Sequence, residues 1–106
     1  MTMNPVRPFF YTYVLRCKKA NTFYAGATNN LEKRLEEHHK GLVLYTSFRR
    51  PVELVYFEAC LNKNDAYRRE RYLKIGMGKR YLKNRLKEGL VQEKTFGSRE
   101  KEGLTG

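Results

Sequence analysis

The chain has 106 residues and a mass of 12.6 kDa, which is the size of one domain. Hydrophobic residues make up 41% and aromatic residues 13%, enough for a modest core, so the composition excludes a chain that is disordered throughout. No apolar run approaches the roughly 20 residues of a membrane helix, and the opening MTMNPVRPFF lacks a secretory apolar stretch. Cys17 and Cys60 have neither metal-like nor framework-like spacing. We therefore expect a reduced, cytoplasmic protein without membrane contact.

The formal charge of +11, from 22 lysines and arginines against 11 acids, is unevenly distributed. Residues 68–87 hold nine basic residues and a single acid, Glu70. A surface this basic attracts a polyanion, and the phosphate backbone of nucleic acid is the commonest one. The alternative is a solvated helix face that only maintains solubility. The nucleic-acid-binding residues that we predict are Arg68, Arg69, Arg71, Lys74, Lys79, Arg80 and Lys83.

The first half of the chain predicts a hairpin followed by a helix. Residues 9–17 are β-branched and aromatic, which is typical of a buried central strand, and residues 22–28 form the returning strand. Asn29 then precedes LEKRLEEHHKG, a segment with leucines at helical spacing and a capping-box-like glutamate. We predict a helix that is capped by Asn29 and ended by Gly41.

The second half predicts a loop at residues 42–50, a strand at residues 52–59 and two helices. The first of these helices runs from the capping residues 62–65 to about residue 74, and the second covers residues 78–88. The glycines at positions 76 and 78 are expected to form a turn between the two helices.

This order of elements predicts an α+β fold, in which a small three-stranded, mainly antiparallel sheet is flanked by three helices. We expect residues 1–8 to be an N-terminal arm, residues 9–89 the domain, and residues 90–106 a mobile charged tail.

Two tyrosines of the predicted hairpin come together in one register. A four-residue turn at residues 18–21 places Tyr13 opposite Gly26 and makes Tyr13 and Tyr24 diagonal neighbours on one face, roughly 7 Å apart. Because Gly26 has no side chain, the space against the Tyr13 ring suits a bound ligand or a close backbone approach. Ordinary sheet aromatics are the alternative.

Arg34 and His38 lie four residues apart in the first predicted helix and so project from the same side. Arg34 carries a fixed charge, and a histidine can exchange a proton near neutral pH. Two solvated polar residues are the alternative, and only spacing separates His38 from His39.

Glu70 lies among apolar positions of the second predicted helix, where it follows Ala66 by four residues and precedes Leu73 by three. A buried carboxylate needs an ion pair or a cation. A structural pair with a neighbouring arginine or lysine is one possibility, and a ligand of a hard cation such as Mg²⁺ is the other. The clustered carboxylates of a two-metal nuclease are absent from the sequence pattern, so we expect one metal ion at most.

These features together resemble the GIY-YIG nuclease superfamily, in particular its small single-domain bacterial branch. The tripeptides YTY (11–13) and YAG (24–26) stand where the family has its two naming motifs, and ten residues separate Tyr13 from Tyr24, which is the family's spacing. TNNLEKRLEEH carries the family's arginine and histidine, RRPVELVYFE its third strand, and DAYRRERYLK the helix with its metal-binding glutamate. Tyr11, Thr12 and Ala25 depart from the family motif at scaffold positions, and Asn84 is the nearest candidate for its late asparagine.

The resemblance implies metal-dependent hydrolysis of DNA phosphodiester bonds, in DNA repair, recombination or restriction. Under it, Tyr13 acts as or orients the general base and Tyr24 assists through its hydroxyl. Arg34 stabilises charge on the phosphate, and His38 aids proton transfer. Glu70 holds one Mg²⁺ or Mn²⁺ ion. The competing interpretation is a non-catalytic module that binds DNA or RNA on the same scaffold, with a protein partner for targeting.

Overall fold

The computed structural model describes residues 8–19 and 22–90 of the chain. The elements are, in order, β1 (Phe10–Cys17), β2 (Thr22–Thr28), α1 (Leu31–His39), α2 (Leu44–Ser47), β3 (Val52–Cys60), α3 (Lys63–Leu73) and α4 (Gly76–Arg85), followed by a helical turn at residues 87–90. The predicted α+β class is confirmed. Of the predicted arm and tail, all but Pro8 and Leu90 lie outside the described residues. None of the helices in the described ranges is long and apolar enough to cross a membrane.

The sheet has the strand order β2-β1-β3, with β1 antiparallel to both neighbours. The predicted hairpin register is confirmed, because Tyr13 pairs with Gly26 and Leu15 with Tyr24. Side chains alternate between the faces of a strand, so the two faces of β1 build two clusters. Tyr13 and Leu15 pack with leucines of α1, whereas Val14 packs against α3 and α4 on the opposite face.

Two local predictions between residues 29 and 50 are wrong. The cap of α1 is Asn30 rather than Asn29, because the Asn30 side chain accepts a hydrogen bond from the Lys33 amide at 3.1 Å. Either of two adjacent asparagines matches the capping pattern, and only the helix geometry distinguishes them. The predicted loop at residues 42–50 contains the single helical turn α2. No side chain caps α2, so its local sequence gives little sign of it.

The two glycines expected in a turn lie instead within the first turn of α4. A Cβ atom at position 78 would overlap the backbone of Tyr72 and Leu73 at the end of α3, whereas a Cβ at position 76 would meet no atom within 4 Å. Gly78 is therefore required for the close crossing of α3 and α4. Gly76 has no such packing role.

Substitution by alanine should separate these two glycines. Gly78→Ala forces backbone apart, so we expect it to lower the free energy of unfolding by about 1–3 kcal/mol or more. Gly76→Ala adds a better helix former in open space and should be neutral or stabilising by up to about 1 kcal/mol. Urea denaturation of both variants measures the difference, and equal stabilities would contradict the packing role of Gly78.

Candidate active site

Tyr13 and Tyr24 lie side by side, as the hairpin register predicts, with ring centroids 6.3 Å apart. Tyr13 is only 1% exposed, and its ring lies across the backbone of Gly26, where a Cβ atom would overlap the end of the phenol. The sequence allowed either a bound ligand or a close backbone approach beside Gly26, and the structure shows the close approach. The Tyr13 ring itself fills the space over Gly26, so no ligand can lie there. Gly26 is thus what allows the phenol to cross the edge strand β2.

His38 is the histidine of this site, and its imidazole is completely buried. Its Nε2 lies 2.8 Å from the Tyr13 hydroxyl oxygen, and its ring meets the rings of Tyr13 and Tyr24 edge-on, at centroid distances of 5.6 and 5.1 Å. His39, which the sequence made the weaker candidate on spacing alone, is exposed. The helix α1 therefore directs only one of the two histidines into the tyrosine cluster.

The helical turn α2 contributes two residues that sequence reasoning missed. The Thr46 hydroxyl oxygen lies 2.7 Å from Nδ1 of His38, and Thr46 is fully buried. Its neighbour Tyr45 packs against Tyr24 with ring centroids 5.3 Å apart, and the Arg49 guanidinium lies 4.1 Å from the Tyr45 ring centroid. Both residues belong to a segment without a periodic pattern, so no signal in the sequence identified them.

The charges of Arg34 and Glu70 act on the pKa of the Tyr13 hydroxyl in opposite directions, since Arg34 lowers it and Glu70 raises it. Arg34 acts on Tyr13 from α1 and pairs with Glu37 at 3.2 Å. Glu70 acts on Tyr13 from α3; its side chain is only 17% exposed, and its Oε2 forms an ion pair with Lys74 Nζ at 2.6 Å. The structure therefore brings the sequence-predicted residues Tyr13, Tyr24, Arg34, His38 and Glu70 together, and adds Lys74, whose ammonium lies 5.9 Å from the Tyr24 ring centroid.

A hydrogen bond between strand β1 and helix α3 fixes the position of the helix that carries Glu70. The Thr12 hydroxyl of β1 donates to the carbonyl of Ala66 at 2.9 Å, and both residues are buried. Glu70 follows Ala66 by four residues and so lies on the same side of α3. Thr12, a scaffold position in the sequence comparison, thus positions the acid relative to Tyr13.

Burial keeps the central pair neutral at physiological pH. Burial raises the pKa of the Tyr13 hydroxyl, Tyr24 raises it further, and the charge of Arg34 opposes this only in part. Burial, with the charges of Arg34 and His39, lowers the pKa of His38 to about 4. At neutral pH the site therefore holds a phenol and a neutral imidazole, joined by a short hydrogen bond.

The donor set suits one hydrated hard cation at most. Within residues 8–19 and 22–90, no three histidine, cysteine or acidic side chains lie together as a metal site would need. Glu70 is a single, largely buried carboxylate whose present partner, Lys74, has a side chain that is 51% exposed and can move. A lone carboxylate fits Mg²⁺ or Mn²⁺, which keep waters and take phosphate oxygens as further ligands.

The predicted basic residues have three different surroundings. Arg69 is used internally, because its Nε donates to Glu58 at 2.9 Å and its guanidinium lies over the rings of Tyr72 and Tyr81. Arg68 pairs with Asp65 at 3.0 Å on the surface. The exposed remainder consists of Arg71, Lys74, Lys79, Arg80 and Lys83.

Four of these exposed cations line a groove beside the tyrosines. The groove has a volume of about 790 Å³ and runs between β2, the end of α3 and α4, with Tyr24 and Tyr45 in its wall. Val14, Ala25 and Leu82 give it an apolar floor. Its cations are Lys74, Lys79, Arg80 and Lys83, so a basic surface leads directly to the buried site.

Comparison with known proteins relates the chain to one family. The family model described as the GIY-YIG catalytic domain matches residues 9–81. UPF0213 protein YazA of Bacillus subtilis is 40% identical over 85 residues, which cover 79% of each chain. UPF0213 protein CPE1444 of Clostridium perfringens is 51% identical over 65 residues, covering 60% of this chain and 69% of the relative. A solution NMR structure of UPF0213 protein BH0048 from Bacillus halodurans is 34% identical, with a TM-score of 0.40, and covers 81% of this chain and 85% of that one.

The low pKa of His38 makes stability depend on pH. Because the pKa is about 4 in the folded protein and ordinarily 6.5, the unfolded chain binds the proton more tightly. The contribution of neutral His38 to the free energy of unfolding is fully present above pH 6.5 and is lost as the pH falls towards 4. The loss is at most about 3 kcal/mol.

Urea denaturation between pH 7.5 and 4 measures this dependence. We expect His38→Gln to have a flatter profile than the wild type, because it removes the proton that the unfolded chain takes up. The matched control is His39→Gln, which changes an exposed neighbour and should keep the wild-type slope. A wild-type slope in His38→Gln would show that His38 does not titrate in this way.

Proposed function

The chain belongs to the GIY-YIG family, among the UPF0213 proteins of bacteria, and from this we propose that it is a metal-dependent endonuclease that hydrolyses DNA phosphodiester bonds. The observation that carries the proposal is the convergence of two phenols and an imidazole, in mutual contact, with the charges of Arg34 and Glu70 acting on one hydroxyl. A nuclease has to activate water and stabilise negative charge on a phosphate, and these groups can do both.

Proton transfer in this mechanism is shared between Tyr13 and His38. With the Tyr13 proton donated to Nε2 of His38, the phenol oxygen can accept a hydrogen bond from the attacking water. As the water attacks phosphorus, its proton passes to the Tyr13 oxygen while the phenol proton passes to His38. This shuttle never requires a free tyrosinate, which agrees with the raised pKa of Tyr13.

The remaining site residues act on the phosphate. Arg34, whose side chain is 39% exposed, stabilises the charge that develops on the phosphate oxygens. Its charge also lowers the pKa of His38, so neutralisation of Arg34 by the phosphate makes His38 a better proton acceptor at the moment of attack. Tyr24 assists through its hydroxyl. Glu70 would hold the single Mg²⁺ or Mn²⁺ ion, which supplies further positive charge at the phosphate.

The basic groove supports nucleic acid as the substrate. Its lysines and arginine lie beside Tyr24 at the entrance to the site, where a phosphate backbone would bring its scissile bond. DNA is the substrate that we propose, with RNA as the alternative and with repair, recombination or restriction as the setting. The free thiols of Cys17 and Cys60 support a reducing, cytoplasmic location.

A non-catalytic binding module is the second candidate, and the Glu70–Lys74 ion pair favours it. At 2.6 Å, this pair already satisfies the acid without a metal ion. Under this alternative the protein binds nucleic acid in a salt-dependent way but shows no metal-stimulated cleavage.

Nicking of supercoiled plasmid, with and without Mg²⁺ or Mn²⁺, tests the endonuclease. We expect Tyr13→Phe and Glu70→Gln each to reduce the cleavage rate by about 100-fold or more, because each removes a group used in the chemical step. Tyr56→Phe and Glu36→Gln are matched controls that change a phenol and an acid outside the site. Cleavage by both site variants at the wild-type rate would place the reaction elsewhere.

Binding to a labelled oligonucleotide at several salt concentrations tests the groove. Each of Lys79→Gln, Arg80→Gln and Lys83→Gln should weaken binding and reduce the slope of log Kd against log salt by roughly 0.9 per lost phosphate contact. Lys40→Gln removes an exposed lysine that pairs with Glu36 on α1, and its slope should equal that of the wild type. Unchanged slopes in all three groove variants would contradict this interface.

A further inference from the structure

The buried imidazole of His38 has a hydrogen-bond partner at each nitrogen. Nε2 faces the Tyr13 hydroxyl at 2.8 Å, and Nδ1 faces the Thr46 hydroxyl at 2.7 Å. All three residues are at most 1% exposed, so each ring nitrogen depends on its protein partner. A neutral imidazole has one N–H, and which nitrogen carries it depends on what each partner can accept.

The position of the Thr46 proton decides between the two tautomers. The Thr46 hydroxyl also donates to the carbonyl of Val43 at 3.4 Å, one turn back in the chain. When its proton points to that carbonyl, the oxygen can only accept from Nδ1–H, and Nε2 is left as an acceptor for Tyr13. If the proton pointed to Nδ1 instead, Nε2 would carry the hydrogen and could not accept one from the phenol.

We propose that Thr46 is a positioning residue, which holds His38 as the Nδ1–H tautomer and so keeps Nε2 ready to receive the Tyr13 proton. The catalytic consequence rests on the proposed function, whereas the tautomer is a property of the resting protein. Thr46 acts through His38 and touches neither substrate nor metal. The helical turn α2 thereby has a role: it brings a hydroxyl to the rear of the imidazole while Tyr45, the residue before, packs on Tyr24.

Nitrogen-15 NMR of the histidine rings tests the tautomer without any need for activity. In the wild type near pH 7 we expect a protonated Nδ1 and an unprotonated Nε2 for His38, assigned by comparison with His38→Gln. Thr46→Val has a similar shape but no hydroxyl, and should shift the population towards the Nε2–H tautomer. Thr46→Ser restores the hydroxyl and should restore the wild-type spectrum.

Cleavage kinetics then test the consequence. We expect Thr46→Val to lower kcat by roughly 10- to 100-fold with little change in KM, as is typical when a partner that orients a histidine is lost, and Thr46→Ser to recover most of the rate. A merely structural role would instead lower stability in both variants without changing the tautomer.

Several results would overturn the proposal. An Nε2–H tautomer in the wild type contradicts the proposal directly. This measurement needs no variant, so it decides the question even if Thr46→Val folds poorly. An unchanged tautomer in folded Thr46→Val contradicts it too, as does a changed tautomer with full kcat. If the wild type does not cleave, the proposed function fails, and the NMR result still decides whether Thr46 sets the tautomer.

Discussion

The hydrogen bond between Tyr13 and His38 is the interaction on which the rest of the site depends. It joins the central strand β1 to α1 at 2.8 Å inside the core, where both polar groups depend on protein partners. A buried polar pair is tolerable only when every partner is in place. Gly26 is needed so that the phenol can cross β2, and Thr46 is needed so that the second nitrogen of the imidazole is satisfied. The short contact between Tyr13 and His38 therefore depends on β1, on Gly26 and on the helical turn α2.

The location of the site follows from the sheet order. Because β2 is an edge strand, helices on both faces of the sheet can reach around it. From one face, α1 brings Arg34 and His38. From the other face, α3 brings Glu70 and Lys74, held in place by the bond between Thr12 and the Ala66 carbonyl. The charges of Arg34 and Glu70 therefore act on the Tyr13 hydroxyl from opposite faces of the sheet, and the basic groove lies beside Tyr24 at the same edge.

The parts of the fold that local rules determine could be predicted from the sequence. Turn length and strand alternation fix the pairing of Tyr13 with Gly26, and helical spacing places Arg34 and His38 on one side. What could not be predicted depends on contacts between distant segments. Spacing alone favours His38 over His39 and does not show that one ring is buried and the other exposed, and the role of Thr46 exists only because α2 meets α1. Charge along the sequence likewise does not show that Arg69 lies over two aromatic rings while Lys79 and Arg80 remain exposed.

The chemistry of this core also carries an argument about selection. A small domain has few buried positions, and phenylalanine or leucine at positions 13 and 38 would fill them without unsatisfied polar groups or a penalty at acidic pH. Instead the centre of one cluster holds a phenol, an imidazole and a hydroxyl in an unbroken row. Packing gives no reason for that choice, since replacing a buried polar pair by well-packed apolar groups is often neutral or stabilising. Proton transfer gives a reason, because it needs donors and acceptors that are held in line within hydrogen-bond distance of one another.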